Sequence, residues 1–142
     1  MTITYFDSSA FVKLLVEEEG SDVAAALWDG SDAAVSSRLA YPEVRAALAA
    51  ARRARRLTAA QQSRAEATWD ELWSATRPVE LTEAVAAHAG HLAVEHALRG
   101  ADGVHLASAL AIGSADALFA VWDQRLAIGA EAVGLQTAPH QG

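Results

Sequence analysis

Short apolar runs alternate with longer helical stretches along nearly the whole chain, and this alternation constrains the fold more than any other feature. The runs at 2–6 (TITYF), 33–37 (AAVSS) and 117–122 (ALFAVW) have the β-branched, aromatic or small residues of buried strands. Residues 78–81 (PVEL) and 133–137 predict two further short strands. Strands that alternate with helices form a parallel sheet covered on both faces. The sequence therefore predicts an α/β fold with three layers, α/β/α, around a central, mostly parallel sheet.

Capping residues indicate where the helices between these strands begin and end. Ser8 or Ser9 is expected to cap the first helix, and Asp102 is placed to cap the sixth, after a turn at 99–103. The third helix begins at Arg38 or at Pro42, and Pro42 suits the first turn best. The predicted helices cover about 8–19, 21–29, 38–56, 58–76, 82–98, 102–112 and 124–132.

Length and composition indicate one ordinary globular unit. The 142 residues are expected to form a single domain, residues 1–142, which is long enough to bury a core. The chain has no cysteine, which excludes disulfides and thiolate metal sites. It also lacks a signal-peptide pattern and any apolar run near the ~18 residues of a membrane span. We therefore expect a cytoplasmic protein with no membrane partner.

Two of the predicted strands lead into an aspartate. Asp7 follows the first strand and Asp123 follows the strand at 117–122. A buried charge is costly unless it is paired, and open α/β sheets bind ligands beyond the carboxyl ends of their strands. Both aspartates are expected at that edge, whereas Asp116 precedes its strand and belongs to the opposite edge.

Two more carboxylates are candidates for the same edge. Asp102 opens a helix that leads into the last main strand, and such a helix starts at the carboxyl edge if it runs antiparallel to that strand. Glu43 lies early in the helix after 33–37, where the helix dipole alone also accounts for a glutamate. Four carboxylates in one place repel each other unless a cation neutralises them, and oxygen donors favour Mg²⁺ or Mn²⁺ over zinc. Such a site suits phosphodiester hydrolysis.

The basic residues are unevenly distributed. A net charge of −7 argues against a nucleic-acid partner, yet ten of the eleven basic residues are arginines and five lie between positions 45 and 56. Arg45, Arg52 and Arg56 lie opposite the apolar face of the third helix. Because arginine binds phosphate in a bidentate manner, this strip is either a nucleic-acid contact or a solvated helix face.

Four segments of the chain, in order, resemble the PIN-domain ribonucleases, and within them the VapC-type toxins of bacterial toxin–antitoxin pairs. The segments are YFDSSAFVKLLVEEEG, RLAYPEVRAALAAARR, LRGADGVHLASAL and VWDQRLAIGAEAVGL. They match the segments that carry the family's four acids, here Asp7, Glu43, Asp102 and Asp123. The family often has Thr or Ser two residues before the fourth acid, where this chain has Val121. A hydroxyl that could contact the site is therefore missing.

The resemblance implies a PIN-like fold and an endoribonuclease that depends on Mg²⁺ or Mn²⁺. By position, Asp7, Asp102 and Asp123 would be the principal metal ligands, directly or through water. Glu43 would bind a second metal or orient the attacking water, and Ser9 would hold Asp7. The resemblance also implies an RNA substrate, a homodimer, and a cognate VapB-like antitoxin that covers or obstructs the site.

Other functions would require residues that differ from those in this sequence. A catalytically silent PIN-like module that binds RNA or protein would be expected to lose one or more acids, and none is missing. A haloacid-dehalogenase phosphatase needs an aspartate at position 9 and a lysine late in the chain, but position 9 is Ser9 and the only lysine is Lys13. A receiver domain needs an acidic pair before Asp7, which is absent.

Histidine and tryptophan residues are expected to serve the core or its surface. His105, one helical turn after Asp102, could touch it, but capping or packing is the expected role. The tryptophans are expected in the core or in dimer contacts rather than in base stacking, with Trp69 and Trp73 between two helices.

Overall fold

The computed structural model describes residues 1–113 and 116–139. Within them a single five-stranded sheet has the order β3-β2-β1-β4-β5, and every neighbouring pair is parallel. The strands are β1 (Ile3–Phe6), β2 (Ala33–Ser37), β3 (Thr76–Val79), β4 (Leu118–Ala120) and β5 (Gln136–Ala138). The predicted parallel α/β architecture is confirmed. The third strand begins two residues earlier than predicted, and the fifth begins three residues later.

Seven helices of the described chain flank this sheet. They are α1 (Ser8–Leu15), α2 (Ser21–Asp29), α3 (Ala40–Arg53), α4 (Ala59–Ser74), α5 (Glu83–Glu95), α6 (Gly100–Ala111) and α7 (Gln124–Ala132). None of the helices in the described segments is long and apolar enough to cross a bilayer.

Three helices end earlier than predicted, for local reasons. α1 ends at Leu15 rather than near Glu19, because the buried Ser21 hydroxyl donates to Val16 O and accepts from the Glu18 N–H, which fixes a turn there. α3 ends at Arg53 rather than Arg56, since Arg55 has φ +62°, and α5 ends before Ala97, which has φ +54°. A left-handed residue cannot continue a right-handed helix.

The sheet separates two apolar cores. Tyr5 and Phe119 point to one face, where they pack with α5, α6 and α7. Their chain neighbours Phe6 and Ala120 point to the other face, where they pack with α1, α3 and α4. The period of two along each strand therefore places apolar side chains on both sides, as expected for a parallel sheet covered by helices.

An aromatic cluster holds α4 against α1 and α3. Trp69 is fully buried, and its ring centroid lies 4.7 Å from that of Phe11, 5.9 Å from that of Tyr41 and 5.5 Å from that of Trp73. Trp28, Trp73 and Trp122 are partly buried against the same core. The tryptophans pack in the core, as predicted.

The structure corrects two predicted helix caps. Asp7, not Ser8 or Ser9, caps α1, because Asp7 is the extended residue (φ −76°, ψ 174°) before the first helical one, and its side chain accepts from the Ala10 N–H. Asp102 is not the cap of α6 either. The helix begins earlier, after Arg99, so Asp102 lies in its first turn.

Replacement of Thr58 by alanine is expected to lower the free energy of unfolding by about 1 kcal/mol. Thr58 and Gln61 form a reciprocal capping box at the start of α4, and alanine removes the hydroxyl that accepts from the Gln61 N–H. Urea denaturation of Thr58→Ala and of the exposed Ser63→Ala checks this. Equal stability of the two variants would contradict it.

Candidate active site

Four carboxylates surround one cavity of about 220 Å³ at the carboxyl edge of the sheet. Asp7 follows β1 and Asp123 lies just beyond β4, while Glu43 and Asp102 come from the first turns of α3 and α6. The residues that line the cavity are Asp7, Ser8, Ser9, Glu43, Arg99, Asp102, His105 and Asp123. The cavity therefore contains all four acids that were selected from the sequence, together with Ser9.

Asp7 is the most buried of these acids, with 6% of its surface exposed. Its Oδ1 accepts from the Ala10 N–H at 2.9 Å, and the Ser9 hydroxyl lies 2.9 and 3.0 Å from its two oxygens. Burial raises the pKa of Asp7, and the charge of Asp102 adds to the increase, although His105 and these hydrogen bonds oppose it. The ionised form of Asp7 is therefore disfavoured until a cation joins it.

Glu43 is held by two donors on one oxygen. Its Oε1 accepts from the Ser8 hydroxyl at 2.6 Å and lies 2.7 Å from Nε2 of His105. Burial raises the pKa of Glu43, but the hydrogen bonds from His105 and Ser8 outweigh it, so the pKa lies below the usual value. Glu43 and Asp7 thus have opposite electrostatic environments in one cavity.

Asp102 and Asp123 complete the acidic wall. Asp123 caps α7, since its Oδ1 accepts from the Leu126 N–H at 2.9 Å. Asp102 accepts at Oδ2 from Nε of the exposed Arg99 at 3.1 Å, and this bond raises the pKa of the Arg99 guanidinium. The charges of Asp123 and Glu43 act on Arg99 in the same direction. Arg99 is thus a cation at the mouth of the acidic cavity.

Gly103 brings Asp102 into place through close packing of α6 on α5. A Cβ at position 103 would lie 2.5 Å from the carbonyl oxygen of Ala89, which no side chain tolerates. The two helices can therefore approach at this level only with glycine, and the first turn of α6 is fixed beside the cavity.

Three residues of the cavity were absent from the predicted site. Ser8, Arg99 and His105 all contact one of the four acids. Ser8 and Arg99 lie near an acid in sequence, but nothing in the sequence distinguishes them from capping or solvated residues. His105 was expected to pack or to touch Asp102, whereas its ring nitrogens face Tyr5 and Glu43.

Other predicted residues lie away from the cavity. The strip on α3 is engaged elsewhere: Arg45 contacts Glu66, Arg52 contacts Gln62, and Arg56 contacts Glu18, with N–O distances of 3.6, 3.4 and 3.7 Å. Arg52 also lies nine residues beyond Glu43, or ~14 Å along the helix.

Two further residues raised by the sequence are not among those that line the cavity. Asp116 precedes β4, at the opposite edge of the sheet, as expected. Val121 is fully buried in the core with Tyr5 and Phe119.

The donor set fits a hard divalent cation bound partly through water. In the described residues no three His, Asp or Glu side chains stand close enough to hold a metal ion together. Mg²⁺, however, keeps several waters and uses only one or two carboxylates. Asp7 is the observation that favours such an ion: burial raises its pKa and disfavours its negative charge, which a cation beside it would stabilise. Asp102 and Asp123 lie on the same cavity and can bind its waters.

Comparisons with known proteins agree on one family. The PIN-domain sequence model matches residues 4–127. The crystal structure of PAE2754 from Pyrobaculum aerophilum aligns with a TM-score of 0.67 over 96% of this chain and 92% of that one, at 20% identity, and shows the same fold. Ribonucleases VapC45 and VapC49 from two strains of Mycobacterium tuberculosis are each 64% identical over 141 residues, 99% of this chain and 98% of theirs. The chain therefore belongs to the PIN-domain family and, within it, to the VapC-type ribonucleases.

Proposed function

We propose that this chain is a metal-dependent endoribonuclease and the toxin of a toxin–antitoxin pair. The observation that carries the proposal is the convergence of four carboxylates and one arginine on a single cavity at the carboxyl edge of the sheet. The names of the two Mycobacterium tuberculosis relatives, both ribonucleases, support RNA as the substrate.

Asp7, Asp102 and Asp123 are the residues that would hold Mg²⁺ or Mn²⁺, with Glu43 completing the set. A bound divalent ion supplies a more acidic water and stabilises charge on the phosphate and leaving oxygen. Ser9 keeps both oxygens of Asp7 in place through its hydroxyl. Burial of Asp7 beneath the cavity keeps this carboxylate poorly hydrated, which strengthens its attraction to a cation.

Arg99 is the protein's own contact for the RNA backbone at this site. Its side chain is 80% exposed and bonds Asp102 through Nε. A guanidinium presents five donors, so one bond to a carboxylate leaves the others for phosphate oxygens. The strip of Arg45, Arg52 and Arg56 is exposed along α3, and although each guanidinium contacts a neighbouring side chain, its remaining donors offer a secondary contact for RNA that extends beyond the cavity.

The family resemblance supports further proposals about the setting of this activity. We expect one domain over residues 1–142, a cytoplasmic homodimer, and a VapB-like antitoxin that obstructs the cavity. An acidic protein with a net charge of −7 suits a basic antitoxin segment. The exposed apolar side chains of Val94 and Ile128 are available for protein contacts.

Purified protein free of antitoxin is expected to cleave a mixed RNA pool with Mg²⁺ or Mn²⁺ and to lose this activity in EDTA. Mn²⁺ is also expected to raise the melting temperature, because the ion binds only the folded state. The two readouts separate the alternatives. Mn²⁺ binding without cleavage of any RNA would favour a catalytically silent module. If Mn²⁺ neither raises the melting temperature nor supports cleavage, the proposed metal site is wrong.

A further inference from the structure

A buried chain of hydrogen bonds leads from the core of the sheet to Glu43. His105 is 3% exposed, and its Nδ1 lies 2.7 Å from the hydroxyl of Tyr5, which is fully buried. On the other side of the ring, Nε2 lies 2.7 Å from Oε1 of Glu43. The proposed metal chemistry assigns no task to Tyr5 or His105, so this connection needs its own explanation.

The donors and acceptors along the chain determine where the protons lie. The Ser37 N–H donates to the Tyr5 hydroxyl oxygen at 3.0 Å, and an N–H cannot accept in return. The phenol keeps its own proton, because burial raises the pKa of Tyr5 far above the usual value. Nδ1 of His105 lies 2.7 Å from the Tyr5 hydroxyl, and a proton directed there makes Nδ1 the acceptor. The remaining imidazole proton therefore lies on Nε2 and points at Glu43.

Packing fixes the ring that carries this proton. The Tyr5 ring stacks on Phe119 with centroids 5.2 Å apart, and the His105 ring meets its edge at 5.9 Å. Tyr5 belongs to the central strand β1, and Ser37 ends the neighbouring strand β2. The orientation of His105 is therefore set by the sheet itself and not by the solvent-facing part of the cavity.

We propose that His105 is a positioning residue: its imidazole is held at Nδ1 by the Tyr5 hydroxyl, and its Nε2–H fixes the Glu43 carboxylate for the reaction. Both fixing bonds, from His105 and from Ser8, end on Oε1 and not on Oε2. This leaves one carboxylate oxygen of Glu43 outside the buried network. The inference rests on the proposed function only in giving Glu43 a part in RNA cleavage.

The tautomer is tested directly in the metal-free protein. Nitrogen-15 NMR of labelled histidine is expected to show a proton on Nε2 of His105. Tyr5→Phe removes the hydroxyl without other loss of volume, and it is expected to produce a mixture of the two tautomers. An Nε2 without a proton in the natural protein, or no change in Tyr5→Phe, would overturn the assignment.

Two amide substitutions separate the two ends of the ring. In His105→Gln the amide can reach the position of Nε2 and donate to Glu43, whereas in His105→Asn it reaches only the position of Nδ1. His105→Asn is expected to lower kcat for RNA about 10- to 100-fold with little change in KM, and His105→Gln to recover most of this loss. The exposed His91→Asn is the matched control and is expected to behave as the natural protein.

Binding of Mn²⁺, followed by calorimetry, gives a readout that does not depend on cleavage. Weaker Mn²⁺ binding in His105→Asn than in His105→Gln is expected, because only the glutamine can hold Glu43. If both variants bind Mn²⁺ and cleave RNA equally, at whatever level, His105 is merely a packing residue. The natural protein could also cleave no RNA while His105 carries its proton on Nε2 and His105→Asn binds Mn²⁺ more weakly than His105→Gln. In that case the proposed function is wrong and the positioning role of His105 stands.

Discussion

Asp7→Asn is expected to reduce RNA cleavage by more than about 100-fold and, at the same time, to raise the melting temperature of the metal-free protein. Loss of a residue that merely supports a metal ligand costs 10- to 100-fold, so loss of the ligand's own charge should cost more. The substitution preserves the fold, because the asparagine Oδ1 can still accept from the Ala10 N–H and cap α1.

The gain in stability follows from the direction of the pKa shift. Burial raises the pKa of Asp7, so folding is favoured when this carboxyl is protonated. Its contribution is complete below the ordinary carboxyl pKa and is lost as the pH rises through the higher pKa of the folded state. Ionisation of Asp7 as the pH rises therefore lowers the stability of the metal-free protein, and asparagine removes this penalty.

Thermal unfolding in EDTA, from acidic to neutral pH, checks both parts of this prediction. The melting temperatures of the natural protein and of Asp7→Asn should separate as the pH rises, and Mn²⁺ should stabilise only the natural protein. Asp22→Asn, an exposed change in α2, is the charge-matched control and should retain cleavage. If Asp7→Asn cleaves RNA as fast as the natural protein, Asp7 has no role in cleavage.

Trp69→Ala is expected to have the largest effect on stability, a loss of about 3–5 kcal/mol in the free energy of unfolding. The indole is fully buried between Phe11, Tyr41 and Trp73, and its Nε1 donates to the carbonyl oxygen of Tyr41 at 3.3 Å. Alanine leaves a cavity at the contact of α4 with α1 and α3.

Urea denaturation measures this loss, with Val94→Ala as a control that should change stability by less than about 0.5 kcal/mol, since Val94 is 86% exposed. A loss below about 1 kcal/mol in Trp69→Ala would contradict the prediction and would mean that α4 moves to fill the cavity left by the indole. Tyr41 precedes Glu43 by two residues in the first turn of α3, so cleavage well below the melting temperature should also fall, but only modestly.

The acids could be predicted from the sequence because their placement depends on local rules. A residue that follows a parallel strand lies at the carboxyl edge of the sheet, and Asp7 and Asp123 satisfy this rule without knowledge of any distant contact. Glu43 and Asp102 needed one more assumption, namely the direction of the helices that carry them. A helix that follows a strand directly starts at the carboxyl edge, as α3 does, whereas α6 had to be assumed antiparallel to β4, because two helices connect β3 to β4.

The partners of these acids could not be predicted, because they depend on packing between distant segments. His105 meets Glu43 across 62 residues and Tyr5 across 100, and an isolated histidine in an apolar helix gives no sign of either contact. Local rules also failed where several residues satisfy them equally. Asp7, Ser8 and Ser9 are all good caps, and only the backbone torsions at the end of β1 select Asp7.

Asp7 and Asp123 each have two roles, because each caps a helix, α1 or α7, and also lines the acidic cavity. Each donates nothing to its helix but accepts one N–H, from Ala10 and from Leu126. Replacement of either aspartate by alanine would remove catalysis and also the capping hydrogen bond, which contributes about 1 kcal/mol, whereas asparagine or serine would remove catalysis and keep the cap. Inactive descendants of this protein should therefore carry asparagine or serine at positions 7 and 123, because the helices still require a capping side chain there after activity is lost.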